Sequence, residues 1–153
     1  MSIKIDNTKI SQKANDTTLA FASRYSVFSK LHPCIVEMDN QIFNSSEQYY
    51  QMTKCLDHNN KEAAMAAGGA VRPTKEWTET IGKIIMQKVV RKKFKPRHMQ
   101  AILRATGKRE LTEATRNTLW GIGLPFTHPN VLSKDLHKGQ NLLGKILMEI
   151  CDG

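Results

Sequence analysis

Pro73 and Pro96 bracket the longest stretch of helical periodicity in the chain, and between them they fix where its main helix starts and stops. Proline suits the first turn of a helix, where its missing N–H has no partner to lose. Further in, it removes a hydrogen bond and collides with the preceding turn. The spacing of Ile81, Ile84, Ile85, Val89 and Phe94 therefore predicts one long helix from Pro73 to about Lys95, with those five residues inward. Other helices surround it. Ser45-Ser46-Glu47-Gln48 fits a capping box with Ser45 as N-cap, opening a helix from Ser46 to about His58. Lys61 to Ala67 reads as a short helix stopped by Gly68-Gly69. Arg97 to Thr106 reads as a helix with Met99, Ile102 and Leu103 on one face and Gly107 beyond its end. Asn141 to Cys151 closes the chain as an apolar helix.

The β content is small. Ile35–Met38 and Gln41–Phe43 flank Asp39-Asn40, two residues that tolerate positive φ, which predicts a hairpin. Glu110–Ala114 is short enough for a strand, and Trp120–Pro125, with two glycines and a proline, reads as an ordered loop. No βαβ alternation is present, which excludes a doubly wound sheet. The expected fold class is α+β and mainly helical, a compact single domain with a small β component. The polar residues 1–20 form either a mobile arm or an edge strand, and residues 21–153 form the domain.

Composition narrows the function class. Among 153 residues, 40% are hydrophobic and 24% charged, as in an ordinary soluble globule. No apolar run approaches the roughly 18–20 residues of a membrane span, and the first residues lack a signal peptide's apolar core. Three widely spaced cysteines make no disulfide framework, so an intracellular, cytoplasmic location is expected. The 23 Lys+Arg against 14 Asp+Glu give a net charge of +9, which favours nucleic acid or phosphate-bearing small molecules without separating them. The most basic stretch, Lys88 to Arg97, is interrupted at helical spacing by Val89, Val90 and Phe94. It reads either as the solvated outer face of a buried helix or as a phosphate-contacting patch.

On the 46–58 helix, at 100° per residue, Glu47, Gln51, Lys54 and His58 fall in one narrow polar stripe. The stripe is either a solvated face or a carboxylate and an amine lining one cleft. Near the positive end of the helix dipole Glu47 suits an ionised carboxylate, and a deprotonated lysine can attack an aldehyde to give a Schiff base. Trp77 and Trp120 are either core or a stacking wall, and Gly121 beside Trp120 would let a ligand approach the backbone. Lys138 and Asn141, at the start of the last helix, form either a plain cap or a diphosphate cradle. No paired Cys/His spacing suggests a metal, so no metal and no cofactor are expected.

Several segments together resemble a known family. These are Ser46-Glu47-Gln48-Tyr49-Tyr50-Gln51…Lys54, Trp77…Met86…Lys93-Phe94, Leu103…Ala105-Thr106-Gly107 with Leu111…Glu113, Trp120-Gly121-Ile122-Gly123, and Gly139-Gln140-Asn141-Leu142-Leu143-Gly144. The pattern is similar to that of the YbiA-like, or NADAR (NAD and ADP-ribose), family. The resemblance implies N-glycosidase chemistry on one of two substrates. One is ADP-ribosylated guanine in DNA or as nucleoside; the other is a phosphorylated ribosylamino intermediate of riboflavin biosynthesis. A module that binds ADP-ribose or NAD without turnover is the non-catalytic alternative. The resemblance further implies Glu47 and Lys54 as the catalytic pair. Ser29, Lys30, Gln51, Trp77, Asn117, Trp120, Gly121, Lys138 and Asn141 would then contact substrate. Apart from the resemblance, the charge of the 88–97 face offers contact with nucleic acid, and a nucleic-acid binder using that face is a second non-catalytic alternative; no membrane is expected. Ser29-Lys30-Leu31 stands where many members have Ser-Asn-Phe, Asn117 where an Asp is common, and His137 where a Trp is usual.

Overall fold

The computed structural model describes residues 10–57 and 77–152. The expected Lys61–Ala67 helix, the Pro73 helix start and His58 lie outside these residues, as do residues 1–9. Contacts divide the chain into two units, Met1–His32 with Lys108–Met148, and Pro33–Gly107 with Glu149–Gly153.

In the first unit, β1 (Gln12–Ala14), β2 (Thr18–Phe21) and β5 (Glu110–Glu113) form a sheet in the order β1-β2-β5. The β1–β2 turn follows from Asn15, whose Oδ1 accepts the N–H of Thr17 at 3.0 Å and of Thr18 at 2.8 Å. β2 pairs antiparallel with β1 and parallel with β5, with Leu19 opposite Leu111 and Phe21 opposite Glu113. All four β2 residues are buried, as expected for a central strand covered on both faces. So β1 is the expected edge strand, whereas Thr18–Phe21 crosses the boundary drawn at residue 20. Ala20, Ala114, Ile122, Leu124 and Val131 form one buried cluster. The last helix, Leu142–Asp152, buries Leu142, Leu143, Ile146 and Leu147. Gly144 lies so close to the strand that a Cβ there would overlap the Leu111 carbonyl.

In the second unit, β3 (Val36–Met38) and β4 (Gln41–Phe43) form the expected hairpin. Asp39 and Asn40 have φ of 53° and 63°, the two left-handed residues that a type I′ turn needs. Helix α1 (Ser46–Asp57) follows. Next come a π-helical turn (Thr78–Gly82), α2 (Lys83–Lys93) and α3 (Arg97–Arg104), and the Leu142–Asp152 helix is α4. α1 packs on α2, as does β3. The Phe43 and Tyr49 rings meet edge to face at 5.1 Å, and Tyr49 donates to Asp39 Oδ2 at 3.0 Å, tying the hairpin turn to α1.

The long helix differs from its expectation in which face is inward. Val89 and Phe94 are buried, but Ile81 is 46% and Ile84 64% exposed. The buried stripe is Met86, Val89, Val90 and Lys93, at i, i+3, i+4 and i+7, and Ile84 sits about 160° round the helix from Met86. The competing isoleucine pattern looks apolar over the same span only because this stripe ends in a lysine. Likewise Met99 and Leu103 of α3 are buried while Ile102 faces outward. Among the described residues no helix is long and apolar enough to cross a membrane. The fold class is α+β.

Candidate active site

The cap of α1 sets the orientation of the polar stripe. Ser45 Oγ accepts the N–H of Gln48 at 3.1 Å, the forward half of a capping box. The return bond goes one residue further back than usual, with Gln48 Oε1 accepting from the Asn44 N–H at 2.7 Å. Glu47 is thereby held in the first turn of the helix.

Glu47, Gln51 and Lys54 project within about 60° of one another around α1. Gln51 Nε2 donates to Glu47 Oε1, and the Gln51 Oε1 is buried with no hydrogen-bond partner among the described residues. The Lys54 side chain is only 6% exposed. Its Nζ lies 5.9 Å from the centre of the Tyr50 ring, and that ring meets Trp77 at 6.1 Å with a 57° tilt. Gly82, in the π turn, makes room for both rings, because a Cβ there would stand 3.0 Å from the Tyr50 hydroxyl and from Trp77 Cζ3. Carboxylate, amide and amine thus form a row along one face of a helix, with the amine against an aromatic wall. Tyr50 was not singled out by sequence reasoning. Its place four residues before Lys54, on the turn where the two side chains meet, is the signal that could have found it.

Lys93 requires a correction. It was counted in the basic 88–97 face, yet it is 5% exposed, with Nζ 5.3 Å from the centre of the Phe94 ring. Burial pulls its pKa down to about 8, partly offset by the nearby Cys34 thiol. Cys34 is itself pushed up by burial, against the pull of Lys93 and a hydrogen bond from the Ser46 backbone. The exposed cations of the stretch are Lys88, Arg91, Lys92, Lys95 and Arg97.

The first unit holds the remaining sequence candidates. Lys30 Nζ lies 5.3 Å from the centre of the buried Trp120 ring, a cation–π arrangement. Ser29 is buried, and its Oγ accepts the Leu31 N–H at 3.1 Å. Asn117 Oδ1 accepts the N–H groups of Leu119 and Trp120 at 2.9 and 2.8 Å, so its carbonyl shapes the turn that presents the indole. Gly121 is required by its own fold, since a Cβ would collide with Thr115 Oγ1 and lie 2.8 Å from the Glu113 carbonyl oxygen. Lys138 is exposed, and its N–H and that of Gly139 both donate to the Ile122 carbonyl at 2.8 Å.

Asn141, which the resemblance places against the ligand, also has a structural task. It adopts φ 56°, its Nδ2 donates to the Leu111 carbonyl at 2.8 Å, and its Oδ1 accepts the Glu113 N–H at 3.0 Å. Both ends of the amide bond β5, so Asn141 fastens the start of α4 to that strand. Beside it, Glu113 is a 5% exposed carboxylate that was read only as part of a motif. Burial on both faces of a parallel strand hides such a residue from period-based reading.

The comparisons agree with this architecture. The family model described as NADAR domain matches residues 14–152, so the match begins inside β1. The N-glycosidase YbiA of Escherichia coli (strain K12) is 29% identical over 93% of this chain and 91% of its own length. The N-glycosidase YbiA of Shigella boydii serotype 4 (strain Sb227) is equally similar over the same shares. The NMR structure of the E. coli protein YbiA superposes with a TM-score of 0.67 at 28% identity, covering 94% of this chain and 88% of that one. With nearly its whole length matched by the family model, the chain belongs to the NADAR family and is a hydrolase of N-glycosyl compounds.

Proposed function

We propose that this N-glycosidase cleaves the bond between ribose C1 and the exocyclic nitrogen of ADP-ribosylated guanine, in DNA or as nucleoside, with Glu47 and Lys54 as the catalytic pair. The observation that carries the reading is the row Glu47–Gln51–Lys54 with the amine buried against Tyr50. Ring opening of the ribose leaves C1 as an iminium on the guanine nitrogen. The neutral Lys54 amine adds to C1, the guanine amine takes up a proton and leaves, and a lysine–sugar Schiff base remains. Water adds to that Schiff base and splits it into free lysine and ADP-ribose. Glu47 accepts and returns the protons and faces the positive charge that develops at C1. Trp77 walls the site through Tyr50, and Gln51 orients the Glu47 carboxylate. The same reading puts the protein in the cytoplasm, beside nucleic acid.

The test is release of ADP-ribose from DNA carrying ADP-ribosylated guanine, with wild type beside Glu47→Ala and Lys54→Ala. Borohydride should trap the substrate sugar on Lys54 during turnover. Release by wild type alone, with the lysine adduct, is the expected result. Release without any adduct refutes the Schiff base and leaves direct displacement through an oxocarbenium-like state. Turnover of a phosphorylated ribosylamino compound with the DNA untouched refutes the substrate. Full activity in both alanine variants refutes the catalytic pair.

A further inference from the structure

The net charge of this protein is concentrated in one segment. Residues 83–107 carry eight Lys+Arg and no Asp or Glu, against a net charge of +9 for the whole chain. Lys88, Arg91, Lys92 and Lys95 recur at i, i+3, i+4 and i+7, on the side of α2 opposite its buried stripe. All four are exposed, and among the described residues the side chains of Arg91, Lys92 and Lys95 have no ion pair. Lys88 reaches Asp39 only at 3.9 Å.

The surface around these cations is concave in two adjoining places. One hollow of about 260 Å³ has Arg91, Lys95, Gln100 and Arg104 at its rim and Phe94 and Leu103 in its floor. The other, a more open groove of about 470 Å³, runs along Lys88, Arg91, Lys92 and Lys95, with Glu37 and Asp39 on its far wall. Arg91 and Lys95 belong to both, so the two hollows join at that pair.

We propose that this band on α2 and α3 is a docking track for the sugar–phosphate backbone of a nucleic acid. The cations are not gathered in one hollow but continue from the smaller one into the groove, as a polymer of repeated anions requires. Arg91 and Arg104 supply planar forks that match phosphate, with Lys88, Lys92 and Lys95 as point charges along the path. Glu37 and Asp39 repel the polyanion from the hairpin wall and keep it on the α2 side. Ile84 and Ile102 are exposed beside the cations, so an anionic membrane surface is the competing occupant. The two joined hollows favour a strand that can lie in them over a flat bilayer.

The probe is a labelled, unmodified single-stranded oligonucleotide of about 20 nucleotides, with anisotropy followed across a salt series, where single strands lose affinity with a slope of about 0.7 per phosphate contact. It carries no ADP-ribose, so the outcome is independent of the glycosidase substrate proposed above. Wild type should bind with strong salt dependence. Arg91→Glu/Lys95→Glu/Arg104→Glu should bind at least about tenfold more weakly, with the salt slope reduced by about 0.7 per contact removed. Arg24→Glu/Lys108→Glu/Lys145→Glu changes the net charge equally on exposed sites elsewhere and should bind like wild type. Urea unfolding midpoints establish that both triples are folded. Equal loss in the two triples, or undiminished binding by the first, overturns the proposal. So does a wild type that ignores the oligonucleotide and instead binds anionic phosphatidylserine vesicles through these three residues.

Discussion

Lys93→Met tests whether the last residue of the buried α2 stripe is held there as a charged group. The side chain is 5% exposed and its pKa falls from 10.5 to about 8 because burial disfavours the ammonium ion. At 1.36 kcal/mol per unit, the native state at neutral pH bears about 3 kcal/mol for keeping that charge. Because the folded pKa lies below the unfolded one, the native protein binds fewer protons than the unfolded chain between about pH 8 and 10.5. Stability from this group therefore rises with pH through that window and is at its lowest below it. Between pH 7 and pH 10 wild type should gain about 2.5 kcal/mol relative to the methionine variant. With a urea m-value of about 2 kcal/mol/M, the difference between their midpoints should shift by roughly 1 M. Two neighbours act in the opposite direction. Cys34 and Tyr49, both raised by burial, lose stabilisation as pH climbs past their ordinary values of 9.0 and 10.0. Tyr49 does not depend on Lys93 and cancels between the two proteins, whereas Cys34 loses the pull of Lys93 in the variant, so its fall in stability with pH is steeper there and adds to the difference. Any packing cost of methionine is independent of pH and appears as a constant offset. A midpoint difference that does not change from pH 7 to 10 would refute the reasoning, because Lys93 would then titrate alike folded and unfolded.

Asn141→Ala should cost about 2–4 kcal/mol in urea unfolding, since it leaves the Glu113 N–H and the Leu111 carbonyl without that partner inside the protein. Asn141→Gly, which accepts φ 56° without a Cβ, should be less damaging by about 1 kcal/mol. Ser45→Ala should remove about 1 kcal/mol by uncapping α1, read as a lower urea midpoint. Gly82→Ala should displace Tyr50 or Trp77, visible in near-ultraviolet circular dichroism, and slow turnover roughly tenfold or more by shifting the wall beside Lys54. Unchanged spectra and full activity would separate those rings from the chemistry.

What the sequence revealed and what it hid divide along physical lines. Elements announced by local chemistry were legible. The Asp39-Asn40 turn, the Ser45 cap and the proline that ends α2 act within a few residues of themselves, and each stands where its residues place it. Elements that depend on distant partners were not. Thr18–Phe21 looks like part of a polar arm because its strand character comes from Glu110–Glu113, some ninety residues away. The inward face of α2 was masked by the lysine that completes it, since reading apolar residues alone favours Ile81 and Ile84. The Glu47–Gln51–Lys54 row was legible because helical spacing alone brings the three together. Its aromatic wall was not, because Tyr50 meets Trp77 only through the packing of α1 beside the π turn.

The motif residues of the first unit show why recurrence of a motif and participation in chemistry must be tested apart. Gly121, Gly139 and Gly144 all lie where a Cβ would strike backbone, and Asn141 bonds β5 through its amide. Substituting any of these damages folding first, and an accompanying loss of activity would say nothing about substrate contact. Glu47 and Lys54 differ in kind. No backbone packing accounts for a carboxylate and an amine on one face of α1 about 10 Å apart along its axis. The Lys54 amine ends that row buried against the Tyr50 ring. For such residues stability and activity should part. Lys54→Met is expected to remain folded while releasing no ADP-ribose. If instead it unfolds with a loss of several kcal/mol, the amine is a structural tie, and the catalytic burden would have to rest on Glu47 alone.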